Sequence, residues 1–420
     1  MFSEVDGELY IEEVPVSEIV REVGTPVFVT SRRTLEKNLD SYERSFPDSC
    51  ILYAVKANNN LAILRIIARR NFGADVFSGG ELYLAMVSRF EREKILFNGN
   101  SKSVEEIEMG INSGVKFSVD SFDELELISQ LASSLNVEVD IAFRVNPDID
   151  PKTHPKIATG LKESKFGIPS DAILKAYERA MDLPNVNPIG IHCHIGSQIL
   201  ETSPFVDTTI KMIELASEIE KIGIEIEFID IGGGLGIDYD GSGAPSPEDL
   251  SRSILPVFED GLTKLSSSPK LWLEPGRSIV GNTTVLISKV NSVKKSYKNF
   301  VAIDAGFNLL IRPVLYDAYH RVAVANKMNL RPSETYTIVG PICESGDVVA
   351  RDRMLPKVER GDLIAIFDAG AYGFVMSSQY NGRPRCSEVL VDGRKWWVVR
   401  EKESFGDLIS KQRVPEWLLY

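Results

Sequence analysis

Sulfur and imidazole are scarce in this chain: its 420 residues contain four cysteines and four histidines. The cysteines (Cys50, Cys193, Cys343, Cys386) are far apart and form no CxxC pair, which argues against a disulfide framework or a zinc knuckle and fits reduced thiols. His192 and His194 flank Cys193 in GIHCHIGS, but their alternation is read as setting the two imidazoles on opposite faces of a strand, so no metal site is expected. No window approaches the ~18 apolar residues of a membrane span, and MFSEVDGELY is acidic where a signal peptide would be basic and then apolar. An excess of positive charge is missing too. The 47 Lys+Arg against 60 Asp+Glu give a formal net charge of -13, with the basic residues scattered rather than gathered in a stripe. Such a surface repels phosphate backbones and anionic lipid. Neither nucleic acid nor membrane is expected as a partner, and the expected location is the cytoplasm.

A content of 43% hydrophobic and 25% charged residues is that of a globular protein, and the length exceeds what one hydrophobic core organises, so two domains are expected. From residue 51 a short apolar run, a turn and a stretch of helical spacing recur. The runs are ILYAV (51 to 55), ADVF (74 to 77), KILF (94 to 97), VKFSV (115 to 119), VDIAFRV (139 to 145), PIGIHCH (188 to 194), EIEFIDI (225 to 231) and KLWLE (270 to 274). Between them lie segments such as LAILRIIARR and TTIKMIELASEIEKIG, apolar at threes and fours. Eight such units predict a parallel (β/α)8 barrel over residues 25–274. Beyond it, β-branched runs broken by Gly, Pro and Asp predict a mainly antiparallel β domain over 275–420, with residues 1–24 assigned to it. No low-complexity linker or solenoid repeat interrupts the chain.

Barrel active sites form at the C-terminal ends of the strands, and the chemically unusual residues fall there. Lys56 ends the first run, after residues whose burial would lower an amine's pKa toward the free base that forms a Schiff base; taken alone, a strand-end lysine is equally a solvated terminus. The seventh run leads into Asp230-Ile231-Gly232-Gly233-Gly234-Leu235-Gly236, glycines dense enough for backbone N–H groups to approach a phosphate, or simply a tight turn. It lacks the lysine of a nucleoside-triphosphate loop. The eighth run ends in Glu274-Pro275-Gly276-Arg277, whose carboxylate is suited to a protonated pyridine nitrogen or, less specifically, to a surface pair with the arginine. The sixth ends at His194, an imidazole that can stack on a flat ring, followed by Ser197, which can donate to a phosphate.

Ten motifs in order, LYAVKAN, DVFSGGEL, RVNP, TGLKESKFGI, HCHIGSQ, GGGLG, EPGR, RPVLYDAYH, GPICESGD and GAYGFVMSSQYNGRPR, resemble those of the diaminopimelate decarboxylases, in the alanine-racemase-like fold class of pyridoxal-phosphate enzymes. The resemblance runs from about residue 10 to the end. It implies that Lys56 holds pyridoxal 5'-phosphate as a Schiff base, that Glu274 pairs with the pyridine nitrogen and that His194 stacks on the ring. Ser197, Gly233, Gly234, Gly276, Arg277 and Tyr372 would bind the phosphate, and Asp75 and Arg144 would line the cofactor site. Cys343 and Glu344 would enter from a partner subunit, making a homodimer with shared active sites. Cys343 is then the first candidate to return a proton to Cα, and Lys56 the second.

The implied substrate is meso-2,6-diaminopimelate, decarboxylated at its D-centre to L-lysine, with Arg277, Arg312 and Tyr316 for the distal carboxylate, Glu344 for the distal ammonium and Tyr372 beside them. A racemase is the nearest competitor, but racemases of this fold class set an arginine against the pyridine nitrogen, and Glu274 argues against that. Decarboxylation of ornithine, arginine or carboxynorspermidine is the next alternative, opposed by the Arg312 motif. A non-catalytic regulatory relative has no need of Lys56 or Cys343, and both are present.

Overall fold

The computed structural model describes residues 1–418 apart from 152, 155, 156, 158 and 161–163; the middle of the TGLKESKFGI motif therefore lies outside the described residues. The chain divides into two compact units, Lys37–Val280 and a second made of Met1–Glu36 with the chain from Gly281 onward.

All eight apolar runs form strands: Cys50–Ala54, Gly73–Val76, Ile95–Phe97, Lys116–Val119, Val139–Asn146, Val186–Cys193, Phe228–Asp230 and Lys270–Leu273, here strands one to eight. Each is parallel to the next, and strand eight pairs with strand one through Trp272 opposite Cys50 and Leu273 opposite Ile51. The sheet is a closed (β/α)8 barrel. Strands covered on both faces need apolar residues at successive positions, which is why these runs lack the polar alternation of a half-exposed sheet. Inside, Leu52, Leu96, Ala142, Ile189, Phe228 and Trp272 pack into one cluster, with Phe228 stacked on Trp272 at 4.0 Å between centroids. Where Phe228 projects, strand six carries Gly190, whose added Cβ would lie 2.2 Å from that ring. Several helices between strands start at side-chain caps: Ser103 and Glu106 form a capping box on Val104–Ser113, and Ser246 and Asp249 another on Pro247–Leu262. No helix of the described residues is long and apolar enough to cross a membrane.

The second unit is built on the strand Thr284–Lys295, antiparallel to Val27–Ser31, Asn299–Ile303 and Leu363–Ile366. Two pairings depart from the antiparallel rule: Asn299–Ile303 runs parallel to Glu334–Val339, and Ser387–Asp392 parallel to Val27–Ser31. The segment 25–36, grouped with the barrel by the sequence pattern, belongs instead to this unit. All five residues of Val27–Ser31 are buried, and its hydrogen-bonding edges are taken by Thr284–Ile287 and Ser387–Val391. The strands Phe2–Val5, Glu8–Ile11 and Val14–Pro15 form a small antiparallel sheet of their own, and Leu9, Ile11 and Val14 pack in one cluster with Val27, Val285, Ile287, Val389 and Val391.

The barrel floor provides a test. Phe228→Ala removes a fully buried ring and leaves a cavity against Trp272, an expected loss of about 3–5 kcal/mol, read as an earlier urea transition; an unchanged midpoint would mean the stacked pair does not hold the barrel.

Candidate active site

Strand one ends at Ala54, and Lys56 follows on the 3-10 turn Val55–Ala57, so the amine leaves the barrel wall one residue beyond the strand. Its Nζ pairs with the fully buried Asp75 carboxylate of strand two and lies 5.5 Å from the Phe77 ring centroid. The other Asp75 oxygen accepts a 2.7 Å hydrogen bond from Asn98 Nδ2. The same nitrogen donates to Glu274 Oε1 at 2.6 Å. Strand ends one, two, three and eight are thereby joined by a chain of polar contacts from Lys56 to Glu274. Gly276 completes the link in the backbone: an added Cβ would come within 3.0 Å of the Cβ atoms of Ala54 and Ala57, on either side of Lys56.

Glu274 lies just past strand eight and is almost fully buried. Burial favours its neutral form, but His192, Lys56 and His194 override this and hold it well below the usual carboxylate range. Asp75 and Asp230 behave in the opposite way. Burial, with the Glu274 charge adding to it, raises both carboxyls. Glu81, which accepts the Phe77 N–H, is pushed up to about 7, first by burial. Of Asp75, Asp230, Glu81 and Glu274, Glu274 is the one whose surroundings shift it toward the anion.

After strand six, the half-buried His194 takes a hydrogen bond on Nδ1 from Gly233 N–H at 3.1 Å, and burial, helped by Lys56 and Arg144, pushes its imidazole down to about 3. It is therefore a neutral ring. The loop after strand seven approaches its neighbours too closely for side chains: a Cβ on Gly233 would sit 1.9 Å from the Glu274 carbonyl oxygen, and one on Gly234, at φ +113°, 2.3 Å from the Gly196 carbonyl. Two of its N–H groups are directed to protein partners, Gly232 to Asp230 Oδ1 and Gly233 to His194, so not every amide of this loop is presented to a ligand. Arg277 opens the short helix Arg277–Val280 and donates to Ser197 Oγ at 2.9 Å and to the Tyr239 hydroxyl at 2.8 Å. Ser197 thus accepts from Arg277 and keeps its own hydrogen to donate. Arg144, buried in strand five, stacks over Phe166 at 4.5 Å and lies 4.0 Å from Asp120.

The histidines need a correction. Residues two apart on a strand share a face, so the alternation of His192 and His194 does not separate them: His192 Nε2 lies 3.4 Å from Glu274, and His194 lines a cavity with that same carboxylate. Cys193, between them, is the residue turned away and buried.

That cavity, of about 250 Å³, is lined by Lys56, Phe77, Asn98, Arg144, Thr159, Phe166, His194 and Glu274. The barrel unit thus gathers four of the expected residues on one wall, with Asp75 behind Lys56. An imine-forming amine, a flat neutral imidazole and a buried anion, beside a glycine loop that side chains would block, fit pyridoxal phosphate. Sequence reasoning missed Asn98, Phe77, Thr159, Phe166 and Tyr239. Asn98 alone had a usable signal, since it follows the apolar run KILF as Lys56 follows ILYAV. Five expected residues, Arg312, Tyr316, Cys343, Glu344 and Tyr372, belong to the second unit. Arg312 and Tyr316 bound one short helix, and Arg312 Nη1 donates to His320 Nε2 at 2.8 Å. Cys343 and Glu344 are exposed on a loop tied by Asp347, which accepts the N–H groups of Phe307 and Ile342; Glu344 accepts from the Tyr380 hydroxyl. Tyr372 has φ +56°, the left-handed region that costs a non-glycine residue energy and recurs at functional sites.

Residues 32–281 match the family described as pyridoxal-dependent decarboxylase, pyridoxal binding domain. Over 419 residues the chain is 68% identical to the diaminopimelate decarboxylase of Archaeoglobus fulgidus, covering 100% of each sequence. This chain belongs to the diaminopimelate decarboxylase family. A solved diaminopimelate decarboxylase from Methanocaldococcus jannaschii superposes with a TM-score of 0.94 at 42% identity, over 99% of this chain and 98% of that one. The same enzyme in co-complex with L-lysine gives a TM-score of 0.94 over 100% of this chain and 99% of that one. Membership makes this a pyridoxal-phosphate-dependent carboxy-lyase.

Asn98→Ala removes the amide that joins Asp75 to Glu274. It is expected to weaken retention of pyridoxal phosphate about 10- to 100-fold, the scale of a lost hydrogen bond to a charged group. Retention equal to that of the native chain would show that the bridge does not position Glu274.

Proposed function

We propose that this chain decarboxylates meso-2,6-diaminopimelate at its D-centre, giving L-lysine and carbon dioxide, with pyridoxal 5'-phosphate held on Lys56. The observation that carries this is the single cavity shared by Lys56, His194 and Glu274, in a chain whose relatives are named for that reaction.

When bound, the cofactor supplies an aldehyde for the amine and a flat ring that accepts the bonding electrons of the departing carboxylate. The chain's residues do the rest. Asp75 holds the Lys56 amine at the strand ends through their ion pair. Glu274, held as an anion, keeps the ring nitrogen protonated, while the neutral His194 covers the ring without adding charge. Gly233, Gly234, Gly276, Ser197, Arg277 and Tyr372 bind the phosphate, and Arg144 lines the cofactor site. Arg312 and Tyr316, with Arg277, receive the distal carboxylate; Glu344 receives the distal ammonium, with Tyr372 beside it. We assign the proton returned to Cα to Cys343, with Lys56 as the second candidate.

In this reading two chains form a homodimer, each lending Cys343 and Glu344 to its partner's site; the exposure of both residues supports it. Four free thiols suit a reducing compartment, and the cytoplasm is the location assigned. Ornithine is a poor substrate in the same terms, because it would leave Arg312 facing no carboxylate.

The test is to incubate cofactor-loaded protein with meso-diaminopimelate, ornithine, arginine and carboxynorspermidine in parallel. Lysine and carbon dioxide are expected from the first alone; release from another substrate at equal efficiency would overturn the assignment. Arg312→Ala is expected to raise KM at least tenfold or to abolish turnover, by loss of a charge-assisted contact, and unchanged kinetics would remove that arginine from the substrate site.

A further inference from the structure

We propose that His192 is a positioning residue for Glu274, restraining from inside the barrel the carboxylate that faces the ring nitrogen; the inference rests on that assignment of Glu274. His192 lies in strand six and is fully shielded from solvent. Its Nδ1 is 2.8 Å from the buried Ser118 hydroxyl of strand four, and its Nε2 is 3.4 Å from Glu274 Oε2. A serine hydroxyl that donates to Nδ1 leaves Nε2 as the ring nitrogen that carries a proton. Among the described residues Nε2 makes no hydrogen bond of regular geometry, so this buried N–H has the Glu274 carboxylate within ion-pair distance as its acceptor, and leaving such a donor unmade is costly.

The two carboxylate oxygens are then restrained separately. Asn98 donates to Oε1 and is itself tied to Asp75; His192 faces Oε2 and is itself tied to Ser118. Each oxygen keeps a further lone pair for the ring nitrogen. A group that must meet its partner within a few tenths of an ångström needs this kind of support from residues with locked rotamers.

A cation is the competing occupant. His192 Nε2, an Asp230 oxygen and a Glu274 oxygen lie within 4.8 Å of one another, and Asp230 Oδ2 has no hydrogen-bond partner among the described residues. A metal bound there would draw off the negative charge that Glu274 must present to the ring, whereas an imidazole N–H orients the carboxylate without coordinating it.

A double-mutant cycle separates these possibilities. Native protein, His192→Leu, His192→Gln, Glu274→Gln and the His192→Leu/Glu274→Gln double variant are titrated with pyridoxal 5'-phosphate to obtain dissociation constants, then assayed for kcat and KM and for bound metal. His192→Leu is expected to weaken cofactor binding and lower kcat about tenfold each, with KM little changed. His192→Gln, which keeps a side-chain N–H, restores most of both. In the Glu274→Gln background His192→Leu has no further effect. Penalties that multiply in the double variant, as for a merely structural residue, overturn the proposal. So does stoichiometric metal whose removal by a chelator reproduces the His192→Leu losses. If His192→Leu does not fold, Ser118→Ala carries the cycle: about threefold weaker cofactor binding with Glu274 present and none without it, the opposite result sinking the proposal. A Glu274→Gln chain indistinguishable from native would instead fail the assignment of Glu274 itself, and is told apart by needing no change at His192.

Discussion

Keeping one buried carboxyl ionised is the constraint on which the rest of this barrel end depends. Asp75, Asp230 and Glu274 all lie inside the barrel, and a buried carboxylate is stable only where opposite charge or hydrogen-bond donors replace its lost water. The Lys56 ammonium sits against Asp75. Asp230 takes a single backbone N–H, and burial and the Glu274 charge push its carboxyl well above the usual range. The negative charge settles on Glu274, where Asn98 donates and His192 and His194 favour the anion. Three carboxyls of similar intrinsic acidity are thus sorted by environment: Asp75 raised but paired with Lys56, Asp230 raised, and Glu274 lowered.

The backbone around Glu274 makes the same point in steric terms. Its N–H donates to the Gly232 carbonyl at 2.9 Å, and the next carbonyl, that of Pro275, accepts from Ala54 N–H at 3.1 Å. The close approach of Gly233 to the Glu274 carbonyl lets this turn seat against the strand-seven loop. Lys56, the glycine loop and Glu274 therefore share one rigid junction, and a shift in any of them is felt by the other two.

How much of this the sequence revealed depends on range. Strand positions follow from local hydrophobic runs, so all eight barrel strands were legible, and with them the expectation that Lys56, His194 and Glu274 lie on the same rim of strand ends. The strand Val27–Ser31 was assigned to the wrong unit because an apolar run does not say which edge it will pair with; its partners are more than 250 residues away. His192 was misjudged for a different reason, a period-two argument applied with the wrong parity. Asn98 sits at the end of a run only three residues long in the structure, and nothing local says that its amide will span two carboxyls from distant strands. Long-range polar pairing is what a one-dimensional pattern cannot carry.

The two units also divide the chemistry. A barrel end with an amine, an anion and a flat imidazole serves many reactions at Cα, so it does not by itself choose the substrate. In the second unit Arg312 is buried, with His320 as its neighbour on Nη1. His320 Nδ1 lies 2.8 Å from the Phe367 carbonyl, which can only accept, so Nδ1 carries the proton and Nε2 is the acceptor for Arg312. The imidazole is neutral in that arrangement. His320 thus orients the Arg312 guanidinium through Nη1 without bringing a charge of its own.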